Sequence, residues 1–337
     1  MGDRMRSVQL KRRAFIILLG AAAATMALPR GAPAAARRVG VLSTLVEDTA
    51  ESRRLMAVFV RGLSELGWTD GRNLSLEQRW SGGDNNRLRS DARELASLRV
   101  DVVMAITTPA VAALKQEAPA IPVVFVAVSD PVGSGFIDSL PRPGGNITGF
   151  INLEGSLSGK WLELLKEIAP AVTHAGFIFN PEAAPFADYY LRAFEAAAPA
   201  AGVTPVAMPV HEAADIARAA AGLRGRGAGG FIVMPDTFTT LHRAEIIAAA
   251  ARERLPAVYP NGATARAGGL MGYGVDNVES VRSAAGYVDR ILKGAKAADL
   301  PVQQPTKFEL VINRKTARAL GLDVSPTLLV RADEVVE

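Results

Sequence analysis

The sequence predicts an α/β fold with two lobes, each built on a parallel β-sheet. From residue 38 onward, short apolar runs rich in β-branched residues alternate with longer stretches of helical periodicity, which is the pattern of strand-helix-strand units. The alternation restarts at Ala175. The chain of 337 residues is longer than one compact core usually organises, so two domains are expected.

In the first half, four predicted strands alternate with three predicted helices. The third and fourth strands are almost continuously apolar, as a strand buried on both faces of a sheet requires. The strands are predicted at residues 39–42, 74–77, 101–106 and 123–128, and the helices at about 49–66, 85–98 and 109–117.

The second half repeats this architecture without a convincing repeat of sequence. Its strands are predicted at residues 175–179, 204–208, 230–234 and 257–259, and its helices at about 183–200, 213–223 and 239–254. A further strand is predicted at residues 308–312, after a connector rich in Pro and Gln. A second lobe of the same design is therefore expected.

Three connectors indicate where the chain passes between the lobes. They are residues 141–146, followed by the apolar run 147–151, the Gly-rich segment 268–274, and residues 300–307. Three crossings predict a three-segment hinge. We expect an N-terminal lobe of residues 38–150 plus about 275–298, a C-terminal lobe of 151–272 plus about 306–337, and a ligand cleft between them.

The first 36 residues have the pattern of a cleaved export signal. Basic residues up to Arg13 precede an apolar run that is too short and too rich in Ala for a confident membrane span. Ala34 and Ala36 fit the A-x-A pattern of signal peptidase, which predicts cleavage near Ala36. Arg12 and Arg13 resemble a twin-arginine signal, and the general secretory route stays open. A periplasmic location is expected.

Composition excludes several functional classes. The net charge of +4 arises in the leader, which holds six of the 38 Lys and Arg residues but one of the 34 Asp and Glu residues. The remaining chain is close to neutral, so nucleic-acid binding is not expected. Cysteine is absent, which excludes disulfides, thiol catalysis, thiolate metal sites and the lipid-modified Cys of a lipoprotein.

Polar side chains follow most of the predicted strands. Ligands of open parallel sheets bind beyond the carboxyl ends of the strands, where helix N-termini favour anions. We therefore expect a small polar ligand at these strand ends. The candidate ligand-binding residues are Ser43, Thr44, Thr107, Thr108, Ser129, Asp130, Asn180, Asp236 and Asn261, with Tyr273 as an aromatic wall.

Roles for these candidates follow from their chemistry. Asp130 and Asp236 suit a ligand ammonium, because a carboxylate in a partly dry cleft makes strong charge-assisted hydrogen bonds. Thr107, Thr108 and the helix amides after them suit a carboxylate. The same residue types are ordinary helix N-caps, so capping alone is the alternative at each position. For Tyr273, the alternative is a place in the core.

Enzyme motifs are mostly absent, so we expect no catalysis, no cofactor and no metal. The Gly155 to Lys160 segment is one residue too short for a phosphate-binding P-loop. The Gly-rich segment 227–230 precedes its strand, whereas a dinucleotide-binding loop must follow one. His174, His211 and His242 lie on separate segments without metal-ligand spacing.

Several motifs together resemble those of ABC transporter substrate-binding proteins of the family that includes the tryptophan receptors of some bacteria. The resemblance runs from Arg38 to Glu337. It is carried by residues 107–110, 121–125, 129–132, 143–149, 180–181, 235–237 and 291–294.

This resemblance implies the type I periplasmic-binding-protein fold, with two Rossmann-like lobes that close on a ligand. It implies a receptor that delivers a small solute to a permease in the inner membrane, and it places Thr108, Asp130, Asn180 and Asp236 on the family's cleft. The loop from Ser43 to Asp48 departs from the amino-acid-binding members, so an amino acid and a related carboxylate both stay open as ligands. A ligand-sensing partner of a chemoreceptor or sensor kinase is the alternative role.

Overall fold

The computed structural model describes residues 36–337. The predicted export signal lies outside the described residues. Residues 37–337 form one compact unit, in which the strands belong to two separate sheets. No helix within residues 36–337 is both long enough and apolar enough to cross a bilayer.

The first sheet has five parallel strands in the order β2-β1-β3-β4-β5. All residues of β3 and β5 are buried, as expected for strands covered on both faces. The strands are β1 (Arg37–Ser43), β2 (Leu74–Trp80), β3 (Val102–Ile106), β4 (Val123–Val128) and β5 (Ile147–Ile151), and the helices between them are α1 (Ala50–Glu65), α2 (Asn85–Ser97) and α3 (Thr108–Glu117).

The second sheet has seven strands in the order β12-β11-β10-β9-β8-β6-β7. Strands β6 to β10 lie in the order β7-β6-β8-β9-β10, which repeats the order of the first sheet. Strand β11 is antiparallel to β10, and β12 is parallel to β11. The strands are β6 (His174–Phe179), β7 (Thr204–Pro209), β8 (Gly229–Val233), β9 (Ala257–Tyr259), β10 (Met271–Gly274), β11 (Glu309–Asn313) and β12 (Glu334–Val336).

The helices after β5 differ from the predicted ones in three places. Residues 157–168, for which no helix is predicted, form α4. The helix expected from about residue 183 begins at Ala187, because Pro185 disfavours helical backbone in the residue before it. The helix expected at 239–254 is two helices that meet at His242. The helices are α4 (Leu157–Ile168), α5 (Ala187–Ala197), α6 (Ala213–Arg224), α7 (Thr237–Leu241), α8 (Arg243–Arg252), α9 (Gly262–Arg266), α10 (Asn277–Leu292), α11 (Arg314–Leu320) and α12 (Pro326–Arg331).

Helix α10 follows strand β10 of the second sheet in sequence but packs on the first sheet. Its buried face shares one apolar cluster with α1, with Phe59 and Val281 both fully buried. A Cβ atom on Gly62 of α1 would lie 2.9 Å from the Cβ of Ala285, so the glycine permits this close approach. The chain thus passes between the sheets after β5, after β10, and through residues 300–308 before β11.

The outer edge of the second sheet, strand β7, has few free hydrogen-bond donors. The Thr204 and Val210 N–H groups bond to carbonyls along β6, so residues 205, 207 and 209 face outward. Two of these are Pro205 and Pro209, which have no N–H. Proline at these positions blocks pairing with a further strand.

Candidate functional site

The two sheets bring equivalent strand ends together. In each sheet the strand order reverses between two neighbouring strands, which are β1 and β3 in the first sheet and β6 and β8 in the second. A side chain that follows one of these strands bonds to a group that follows the other. Thr44 Oγ1 lies 2.9 Å from Thr107 Oγ1 in the first lobe. The Asn180 N–H donates to Asp236 Oδ2 at 3.1 Å in the second. These are the switch points at which ligands of open α/β sheets bind.

The lobes touch each other directly through side chains. Thr44 Oγ1 is 2.9 Å from Thr237 Oγ1 of α7, which extends the Thr107 contact into a chain of three hydroxyls across the cleft. The Arg243 guanidinium of α8 donates to a Glu51 carboxylate oxygen of α1 at 3.3 Å. The structure is therefore a closed form.

A cavity lies between the closed lobes. The volume that the centres of water molecules can occupy in it is about 90 Å³. This volume is room for several waters or a small ligand. Its charged side chains are Glu51, Asp236 and Arg243, of which Glu51 and Arg243 pair with each other. Apolar side chains supply about half of the wall, among them Leu45, Leu55, Ile106, Val126, Phe186, Val233, Ile246, Val275 and Val281.

Asp236 is buried in the cavity wall and already has partners. Its carboxylate accepts the Thr239 N–H at 2.7 Å and the Asn180 N–H at 3.1 Å, so it caps α7 and joins two strand ends. Burial raises the pKa of this carboxyl to about 7, although the hydrogen bonds from Thr239 and Asn180 oppose the shift. At neutral pH a large fraction of Asp236 is uncharged.

The N-terminus of α3 offers donors without acceptors. Thr107 at its N-cap makes no capping hydrogen bond, and the Thr108 hydroxyl accepts the Ser129 N–H instead. Within residues 36–337, the Thr108 and Ala110 N–H groups have no acceptor. By contrast, α7 and α9 are capped by Asp236 and Asn261. The free amides favour an anionic group in the cavity.

The backbone of Thr107 is strained where it turns into α3. Its φ is +88°, a region that β-branched residues rarely adopt. The Thr107 N–H bonds to the Val126 carbonyl at 3.0 Å, and its hydroxyl is held by Thr44. Strain maintained by surrounding contacts is a common property of ligand sites.

Three further polar groups in the cavity wall are unpaired. Asn277 Oδ1 is buried and has no hydrogen-bond partner among residues 36–337. Tyr259 is 2% exposed, and its hydroxyl and the Asn152 side chain make no hydrogen bond within the same range. Burial raises the pKa of the Tyr259 hydroxyl, so it stays protonated. A ligand or water is needed to satisfy these groups.

The predicted site residues fall into two groups. Thr107, Thr108, Asp236 and Asn261 line the cavity. The others lie outside its wall and make protein contacts. Ser43 accepts the Leu45 N–H, Thr44 forms the hydroxyl bridge, Ser129 contacts the Tyr190 hydroxyl at 2.9 Å, and Asp130 accepts the Gly133 N–H. The Asn180 side-chain amide donates to the Val210 carbonyl at 2.9 Å, and Tyr273 stacks on Phe308.

Residue patterns did not point to Glu51, Arg243, Asn152 or Asn277. Glu51 and Arg243 belong to helices of different lobes, α1 and α8, while Asn152 directly follows β5 and Asn277 lies just after β10, where the chain passes between the lobes. The position of Asn152 and Asn277 near predicted connectors is the sequence signal that could have identified these two residues. Within the part of the chain that the structure describes, no three His, Asp or Glu side chains are grouped to hold a metal ion.

Known proteins are similar to this chain in sequence and architecture. The chain is 25% identical over 290 residues to a tyrosine-binding protein of Clostridioides difficile, covering 85% of this chain and 81% of that protein. A crystal structure of a conserved domain protein from Vibrio cholerae has 26% identity and a TM-score of 0.82, covering 89% of this chain and 99% of the other.

A second crystal structure, an ABC domain from Streptococcus pneumoniae in complex with L-Trp, has 24% identity and a TM-score of 0.82. It covers 90% of this chain and 100% of the other. These likenesses confirm the predicted fold of two α/β lobes with parallel sheets.

The model of one protein family, described as ABC transporter substrate binding protein, matches residues 38–336. That range includes both sheets, the hydroxyl bridge and the whole cavity wall. The chain therefore belongs to the ABC transporter substrate-binding protein family.

Proposed function

We propose that this chain is an exported receptor that captures an amino acid with an apolar side chain and delivers it to a permease. The observation that carries the ligand class is the uncapped N-terminus of α3 at a cavity whose wall is about half apolar. The free Thr108 and Ala110 amides suit the ligand carboxylate.

The charge of the cavity supports a ligand without net charge. Glu51 and Arg243 neutralise each other, and burial raises the pKa of Asp236 to about 7, so about half of this carboxyl is uncharged at pH 7. A phosphate ester, a dicarboxylate or a polyamine would bring unbalanced charge into a cleft that desolvates it. A zwitterionic amino acid brings none.

Export and delivery are supported by other features. The predicted signal directs the chain out of the cytoplasm, and the family comprises ABC transporter substrate-binding proteins, so a permease is the expected partner. Aromatic amino acids are the first candidates, since related proteins are named for tyrosine binding or contain L-Trp. Branched amino acids are the next.

Calorimetry with the exported, purified chain tests the ligand class. We expect saturable one-to-one binding of L-tyrosine, L-tryptophan or L-leucine. The carboxamide of the bound amino acid should bind roughly 10- to 100-fold more weakly, because it loses the charge-assisted bonds to the α3 amides. Equal affinity for acid and amide would contradict the carboxylate site, and binding of none would contradict the ligand class.

Delivery needs a separate measurement in cells. Uptake of the bound amino acid, followed with a radiolabel, should fall to background when the chain is removed and recover when it is restored. Unchanged uptake would contradict the transport role, whatever the calorimetry shows.

A further inference from the structure

Asn277 carries a buried acceptor that the fold itself does not use. It is the first residue of α10, and the preceding Asp276 already caps this helix by accepting the Val278 N–H at 3.1 Å. Asn277 Oδ1 has no partner within residues 36–337. An unsatisfied buried acceptor destabilises a protein, and this one lies in the wall of the interlobe cavity.

Several other strong acceptors in the cavity wall are occupied. Both oxygens of Asp236 accept backbone N–H groups. Asn261 Oδ1 accepts the N–H and the hydroxyl of Thr264. Glu51 pairs with Arg243. A donor group on a bound molecule therefore finds the buried Asn277 Oδ1 free, together with Asn152 Oδ1 and the hydroxyl oxygen of Tyr259.

We propose that Asn277 is a ligand-contact residue that accepts a hydrogen bond from an N–H or O–H group of the bound molecule. This inference rests on the proposed function and narrows it. The α3 amides require an acceptor on the ligand, and Asn277 requires a donor. A molecule that carries both, such as an amino acid, satisfies both sites, whereas a simple carboxylate leaves Asn277 unpaired and is rejected.

The substitution Asn277→Leu tests the contact because it keeps the approximate size of the side chain and removes its polar atoms. Binding is measured by calorimetry with L-tyrosine, with 3-(4-hydroxyphenyl)propanoate, which lacks the ammonium, and with L-phenylalanine, which lacks the phenol. In the wild type at least one missing donor should weaken binding about 10-fold or more.

The analogue that loses affinity identifies the donor as the ammonium or the phenol. In Asn277→Leu the difference between L-tyrosine and that analogue should disappear. A variant that keeps the wild-type affinity and the wild-type discrimination overturns the inference. Asn277→Asp retains acceptor oxygens, so it should keep the preference for the donor-bearing ligand.

Asn86→Leu is the matched control. Asn86 also lies in the first turn of a helix with an Asp N-cap, Asp84, but it is exposed and lies outside the walls of the cavities between the lobes. Its substitution should leave all three affinities unchanged.

Thermal unfolding without ligand distinguishes a failure of the inference about Asn277 from a failure of the proposed function. Removing an unpaired buried acceptor should raise the Tm of Asn277→Leu by about 2 °C or more, while Asn86→Leu should show no rise. A wild type that binds none of the three compounds contradicts the proposed function. A Tm of Asn277→Leu that does not rise contradicts the unpaired acceptor, independently of any ligand.

Discussion

Asp236 joins three parts of the second lobe, and its burial has a measurable cost. The carboxyl bonds to the N–H groups of Asn180 and Thr239, yet its side chain has little contact with solvent. Burial raises its pKa from an ordinary 3.8 to about 7. The native protein therefore retains a proton at pH values where the unfolded chain has lost it.

The substitution Asp236→Asn should remove one component of the pH dependence of stability. Between about pH 4 and pH 7 the native state binds more protons at Asp236 than the unfolded state, so its contribution to the free energy of unfolding falls as pH rises. The fall is about 2–4 kcal/mol. Urea denaturation of both proteins across this range measures it, and parallel pH profiles would contradict the assignment.

Asp215→Asn is a control of opposite sign. Hydrogen bonds from the His211 and Glu212 N–H groups lower the pKa of Asp215. Its contribution to stability is present above the unfolded pKa and is lost as pH falls through the native pKa. Replacing it should therefore remove a rise in stability with increasing pH.

Strands β4 and β5 meet at a position that tolerates no side chain. Gly149 pairs with Phe125 and has a φ of +150°. A Cβ atom there would lie 2.1 Å from the Phe125 carbonyl oxygen. The register also shifts between Phe125 and Val128, where Ala127 has a φ of +56°, so this pair is irregular next to the cavity.

Gly149→Ala should destabilise the protein by about 3 kcal/mol or more, because both backbone conformation and space oppose the added carbon. Gly145→Ala is the matched control, since a Cβ there meets no atom within 4 Å. Urea denaturation should show a lower midpoint for Gly149→Ala alone. Equal midpoints would contradict the close approach of β4 and β5.

Most strands were predictable because each buried strand is a short apolar run bounded by turns. Helix α4 was not predicted, because Gly155 just before it and Gly159 in its first turn are poor helix formers. The break at His242 also has no Pro or Gly to mark it. Local patterns thus located the sheets better than the helices that cover them.

The cavity was predictable to a similar degree. Thr107, Thr108, Asp236 and Asn261 line it because strand ends of parallel sheets meet at one edge. Asn277 and Arg243 come from helices whose positions depend on how the chain returns between lobes. Such contacts depend on tertiary structure and leave no periodicity in the sequence.

At the scale of the whole molecule, a few polar contacts maintain closure. The Thr44 and Thr237 hydroxyls and the Glu51–Arg243 ion pair join the lobes. An exposed ion pair contributes up to about 1 kcal/mol and a hydrogen bond about 1 kcal/mol. Losing both therefore shifts the balance of open and closed forms by roughly 5- to 30-fold.

The double variant Thr44→Val with Glu51→Gln should open the ligand-free protein. Small-angle X-ray scattering should give a larger radius of gyration than for the wild type, and saturating ligand should restore the wild-type value. Glu163→Gln, which breaks an ion pair within α4, should change neither. An unchanged radius in the double variant would mean that other contacts maintain closure.

The interlobe hydroxyl bridge also affects the rate at which a ligand associates. A ligand reaches the cavity only after the bridge has parted, so each capture event waits for an opening motion. At low ligand concentration the observed association rate should rise in proportion to concentration. At high concentration the observed rate should reach a plateau equal to the opening rate. The maximal rate of ligand capture would then depend on how fast the bridge of three threonine hydroxyls parts.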